Sequence, residues 1–152
     1  MKAFKDSAGR VWQIEITIDA VKRVRDLLGL DLLDQASDTE KVPAITKIGT
    51  DIVALIDTIF VILKPQADAA NISDVDFARA IGGRAALDAQ TAFYEELADF
   101  FQSMGRPDKT KIVLAQKTMI ELTIQRLEMV VQVDPQKEVE KIFGNLSLNS
   151  AE

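Results

Sequence analysis

Residues 43–63 read PAITKIGTDIVALIDTIFVIL. Ile45, Ile48, Ile52, Leu55, Ile56, Ile59, Phe60 and Leu63 recur at spacings that gather them on one broad stripe of an α-helix. Val53 and Ile62 widen the stripe until little polar surface remains, so this helix is expected at the centre of a helical core. Pro43 suits the first helical position, where its missing N–H costs nothing. Lys64-Pro65 is expected to end or kink the helix, because a residue before proline avoids the α region. The same stretch is the most membrane-like in the chain. Lys47, Asp51 and Asp57 argue against a span, since each ionised group at mid-bilayer costs about 2.5–3.5 kcal/mol. A buried helix is expected, in a cytoplasmic protein with no membrane partner. A buried carboxylate needs a partner, so Asp57 is expected to pair with a Lys or Arg of another helix.

Towards the N-terminus the periodicity changes from helix to strand. Ala3-Phe4-Lys5 reads as a short first strand, and Asp6-Ser7-Ala8-Gly9-Arg10 as its turn. Residues 11–18 then alternate: Trp12, Ile14, Ile16 and Ile18 share one face, Gln13, Glu15 and Thr17 the other. A two-stranded hairpin alone is marginal in water. The Trp12 face must therefore pack on helices or pair with another chain. A helix follows from Asp19 to Leu28, with Val21, Val24 and Leu28 on one face and Gly29 as its stop. One more turn over 30–33 leads into a polar loop over 34–42. Met1-Lys2-Ala3-Phe4-Lys5-Asp6 has no apolar run of signal-peptide length.

Towards the C-terminus, Ser73-Asp74-Val75-Asp76 resembles a capping box opening a short helix that bears Phe77 and Ile81. Gly82-Gly83 breaks the chain. A helix over 84–104 carries Leu87, Tyr94, Leu97, Phe101 and Met104 near one face. Gly105-Arg106-Pro107 stops it, and Asp108 is expected to cap a long helix from Lys109 to Val133. Asp134-Pro135 opens a last helix through Phe143, which Gly144 ends. The fold class is thus mainly α, with about five to six helices and a short N-terminal β-hairpin. The expected organisation is a hairpin and helical core over 1–105, a helical arm over 106–144 and a loose tail over 145–152.

Composition narrows the chemistry. The 152 residues suit one domain with its own core, and 47% apolar with 28% charged is a globular mix. The chain has no cysteine and no histidine. It therefore lacks thiolate nucleophiles, Cys-based zinc sites and the commonest general base. A net charge of −6 and a pI near 4.7 argue against a dedicated nucleic-acid binder. The short basic cluster of Lys22, Arg23 and Arg25 is flanked by Asp19 and Asp26 and reads as a solvated helix face. Asp68, Asp74 and Asp76 lack the ligand spacing of a calcium loop, and helix capping explains them better. Glu95, Glu96 and Asp99 would serve acid–base catalysis only if one were buried and their pKa values split. Gly82-Gly83-Arg84 lacks the phosphate cradle of a nucleotide loop. No cofactor or metal is expected, and the chain reads as a binding or assembly protein, not an enzyme.

The long helix is the most suggestive element. Ile112, Ala115, Met119, Leu122 and Met129 define one face, while Val113, Ile120, Ile124, Leu127 and Val131 define another. A helix apolar on two sides is either deeply buried or shared between chains. Val113, Ile120, Ile124, Leu127 and Val131 are the expected partner-binding residues, with the Trp12 strand edge second. A homo-oligomer is within reach of such a surface.

Three segments resemble a known family. They are Phe4-Lys5-Asp6-Ser7-Ala8-Gly9-Arg10-Val11-Trp12 with Val21-Lys22-Arg23-Val24-Arg25; Lys64-Pro65-Gln66-Ala67-Asp68-Ala69-Ala70 with Ile72-Ser73-Asp74-Val75-Asp76-Phe77; and Glu95-Glu96-Leu97-Ala98-Asp99-Phe100-Phe101. Together, over roughly residues 3–101, they are similar to tail assembly chaperones of tailed bacteriophages and prophages. The resemblance implies a small acidic helical protein that coats the apolar helices of the tape-measure protein and recruits tail tube subunits. It implies no catalytic residue. The competing readings are a phage connector component, a bacterial helical adaptor and a carboxylate-dependent enzyme.

Overall fold

A computed structural model describes residues 1–33 and 43–131. Among them an antiparallel hairpin, β1 (Lys2–Lys5) and β2 (Val11–Ile14), precedes six helices. These are α1 (Ile18–Leu28), α2 (Ala44–Thr50), α3 (Ile52–Ala69), α4 (Asp74–Arg79), α5 (Arg84–Ser103) and α6 (Pro107–Val131). The mainly α class with an N-terminal hairpin is the one the periodicity predicts. The polar loop over 34–42, the last helix through Phe143, the Gly144 stop and the tail over 145–152 lie outside the described residues. Contacts divide the chain into two compact units, Met1–Lys117 and Thr118–Glu152, so the division falls inside α6 and not at the Gly105–Pro107 turn.

The hairpin pairs Phe4 with Trp12 and Lys2 with Ile14. The strand reading over 11–18 is too long: β2 stops at Ile14, which pairs with Lys2, the first residue of β1. Ile16 still reaches the core, but Ile18 starts α1 and is exposed. The turn is built around Asp6. Its carboxylate accepts from the backbone N–H groups of Ala8 and Arg10, from Arg10 Nε at 2.8 Å and from Trp12 Nε1 at 2.9 Å. Gly9 takes the positive φ of 84° that closes the turn. The Ser7 N–H then bonds the Ala80 carbonyl at 2.8 Å, tying the turn to the end of α4.

The apolar stretch over 43–63 is two helices instead of one. Asp51 leaves the helical region at φ −128°, and its carboxylate accepts from the N–H groups of Val53 and Ala54. A carboxylate in that position satisfies orphan donors and favours the start of a new helix. Pro65, expected to end or kink the helix, sits inside α3. A proline there removes the donor for the carbonyl four residues back. Arg23 supplies the replacement: its Nε donates to the Val61 carbonyl at 2.9 Å and its Nη2 to the Ile62 carbonyl at 3.0 Å. Arg23 is therefore a bridge from α1 to α3 and not part of a solvated face; Lys22 and Arg25 are exposed. The helix ends instead at Ala69, and Asn71 just beyond it takes φ 56°. Ile72 N–H bonds the Ala67 carbonyl at 2.8 Å and Asn71 N–H bonds the Asp68 carbonyl at 3.2 Å, a left-handed C-terminal cap.

Arg23→Met is expected to lower stability by about 1–3 kcal/mol, because it leaves a buried carbonyl without a donor. In a Pro65→Ala background the loss should shrink, since the restored backbone N–H bonds Val61. Urea melts of the four proteins measure both effects. Equal losses in the two backgrounds would show that the arginine does not stand in for the missing donor.

Candidate interaction surface

Helix α6 begins at Pro107, the favoured first position, so Asp108 lies in its first turn instead of capping it. The Asp108 carboxylate takes two bonds from the Arg106 guanidinium, at 3.1 and 2.9 Å, and these hold its pKa down at about 2. Within the first unit α6 is attached by specific contacts. Val113 is buried, Thr110 Oγ1 donates to the Ala98 carbonyl at 3.4 Å, and Lys117 Nζ lies 3.2 Å from Glu95. Lys109 donates to the Leu33 carbonyl. Gly49 of α2 leaves room for Gln116; a Cβ there would meet the Gln116 amide nitrogen at 1.9 Å.

The structure separates the expected partner-binding residues by burial. Val113, named as partner-binding, is core. Ile120 and Ile124, on the same side of the helix, are half-buried, while Leu127 is 60% exposed. The Val131 side chain lies outside the described residues. The other side is the open one: Met119 is 64% exposed, Leu122 52% and Met129 68%. Their spacing puts them on one face of α6. Trp12 is also core, at 3% exposure, with its ring edge-on to Phe77 at 5.3 Å. The β2 edge beside it is occupied, because the Gln66 amide pairs with both backbone groups of Gln13, at 3.1 and 2.6 Å. An amide side chain thus covers the edge that could have added a strand.

The acidic residues of α5 act as counter-ions. Glu95 also approaches Lys2 at 3.8 Å, and Asp99 lies 3.9 Å from the same amine. The buried carboxylate is that of Glu96, whose Oε2 lies 3.1 Å from the Met1 ammonium without hydrogen-bond geometry. Asp57 is not buried as its apolar neighbours suggest; it is exposed at the rim of an open groove shared with Lys64, Asp68 and Asp74. Asp68 pairs with Lys64 at 3.2 Å, and Ser73 Oγ caps α4 by accepting from the Asp76 N–H. Among the described residues no helix is long and apolar enough to cross a membrane.

Tyr94 is buried as well, and its hydroxyl has no partner among the described residues. Burial pushes its pKa up to about 12. The neutral form is favoured in the folded state, so this group's contribution is fully present below its unfolded value of about 10. That contribution is lost as pH rises through about 12. Tyr94 is the chain's single tyrosine, so ultraviolet titration reads it directly. Tyr94→Phe is expected to raise stability by about 1 kcal/mol by removing an unsatisfied hydroxyl. A loss of stability on that substitution would mean that the hydroxyl has a partner.

No family model, curated protein or solved structure matches the chain.

Proposed function

We propose that the chain is an assembly chaperone that binds apolar helical segments of a larger protein, and specifically a tail assembly chaperone of a tailed bacteriophage or prophage. The observation that carries this reading is the open apolar face of α6 at Met119, Leu122 and Met129. A contiguous exposed apolar face marks an interaction site, and unbranched methionines accommodate partner helices of varied shape. The resemblance of residues 3–101 to that chaperone family supplies the partners: the tape-measure protein, held soluble, and the tail tube protein, recruited to it. The setting is the cytoplasm of the host. The α5 carboxylates support the hairpin and α6 through ion pairs, which favours a binding role over carboxylate-dependent catalysis.

Co-expression with the tape-measure protein of the same operon, followed by pull-down and light scattering, tests the reading. A stoichiometric complex that keeps the partner soluble is expected. Leu122→Asp combined with Met129→Asp should weaken capture by about tenfold or more while leaving the melting temperature unchanged. Absence of binding, with the chain recovered from purified particles, would make it a structural component.

A further inference from the structure

The groove beside Asp57 lies in the first unit. Its volume is about 470 Å³, and Leu27, Phe60 and Ile72 form its apolar lining. Leu27, one residue before the end of α1, is 57% exposed. The rim carries Asp57, Asp68 and Asp74 against the one cation of Lys64. Lys64 is taken by Asp68, so Asp57 and Asp74 are left without a cation among the described residues. The groove is therefore apolar at its base and negative at its edge.

The open face of α6 has the complementary character. Met119, Leu122 and Met129, all in the second unit, are joined on it by Arg126. Glu121 and Glu128 fall on a different side. The basic group Arg126 is exposed and makes no ion pair among the described residues.

We propose that the groove of one copy receives the open α6 face of a second copy. Leu122 and its methionine neighbours pack on Leu27, Phe60 and Ile72, and Arg126 meets the rim of Asp57 and Asp74. Charge fixes the direction of the contact, since groove on groove sets like charges together and face on face does the same. The contact is heterologous: each copy keeps one free groove and one free face, so assembly proceeds to a ring or a filament instead of stopping at a symmetric dimer. This contact uses one chain alone and does not rest on the chaperone reading. It predicts that any partner helix taking the α6 face competes with self-assembly.

Light scattering and sedimentation of the purified full chain test the proposal with two variants at exposed positions. One blocks the groove, Asp57→Lys with Leu27→Asp; the other blocks the face, Leu122→Asp with Arg126→Glu. Circular dichroism melts confirm that both fold. The wild-type chain should associate with rising concentration and dissociate with added salt. Each variant alone should associate about tenfold or more weakly. Mixed, the two should form a terminated one-to-one pair, because one retains a working face and the other a working groove. A wild-type chain that stays monomeric overturns the proposal. So does a groove variant that still assembles, or a mixture that forms no pair.

Discussion

Phe77→Ala is expected to cost about 3–5 kcal/mol, a large share of the stability of a domain this size. Phe77 is fully buried and lies where three elements meet. Its ring stands edge-on to Trp12 of β2 and lies 5.4 Å, tilted by 42°, from Phe60 of α3. Helix α4 has only six residues, too few to hold itself without tertiary contact. Ser73 caps its start, but the Phe77 ring attaches it to the rest of the first unit. Truncation therefore opens a cavity, frees α4 and loosens the hairpin turn that bonds Ala80. Trp12 is the only tryptophan, so its emission reports the neighbourhood without labelling. Urea unfolding followed by fluorescence should show the midpoint falling and the native emission shifting to the red. A loss under about 1 kcal/mol with unchanged emission would mean that the site collapses around the smaller side chain and that Phe77 is no anchor.

The elements that were legible in the sequence are those whose ends carry their own chemistry. Gly29 closes α1, Ser73 opens α4, and Gly105 closes α5 with a left-handed cap, whereas Thr17, read as a strand residue, caps the start of α1. The misreadings have a common cause in tertiary compensation. Asp51 read only as a charge against a membrane span inside one continuous helix, yet it accepts from two backbone donors and starts a new helix. Pro65 is a helix breaker by local rules, and a guanidinium from α1 lets the helix run through it. Nothing within residues 60–70 could have announced Arg23, whose role depends on how α1 lies against α3.

The interaction surface was half legible for a related reason. Helical period identifies that α6 has two apolar sides, but period alone cannot say which side faces inward. Burial decides it: in the first unit Gly49 admits Gln116, and Thr110 and Lys117 anchor the Val113 side, while in the second Met119, Leu122 and Met129 are exposed, as is Leu127. For Trp12 the alternation left two outcomes open, packing on helices or pairing with another chain, and the first holds: Asp6 accepts from its indole N–H and Phe77 of α4 stands against its ring. The signal present in the sequence was the aspartate at the turn, six residues before the tryptophan it bonds.

That aspartate carries the second large effect. Asp6→Ala is expected to lower stability by about 3 kcal/mol, because a buried carboxylate is lost and the Trp12 N–H is left without an acceptor. The difference between wild type and variant should depend on pH. Burial pushes the Asp6 carboxyl up, but the bonds from Trp12 and Arg10, with the charge of Arg10, outweigh it and leave the pKa below its ordinary value. The unfolded chain therefore takes up the proton first as pH falls. The stabilisation is fully present above the unfolded value of about 4 and is lost as pH falls through the lower native value. Urea melts of both proteins from neutral pH downwards should run parallel to roughly pH 5 and then converge. A gap that stays constant throughout the acid range would mean that Asp6 stabilises the turn equally when protonated. The bonds to Trp12 and Arg10 would then owe nothing to its charge.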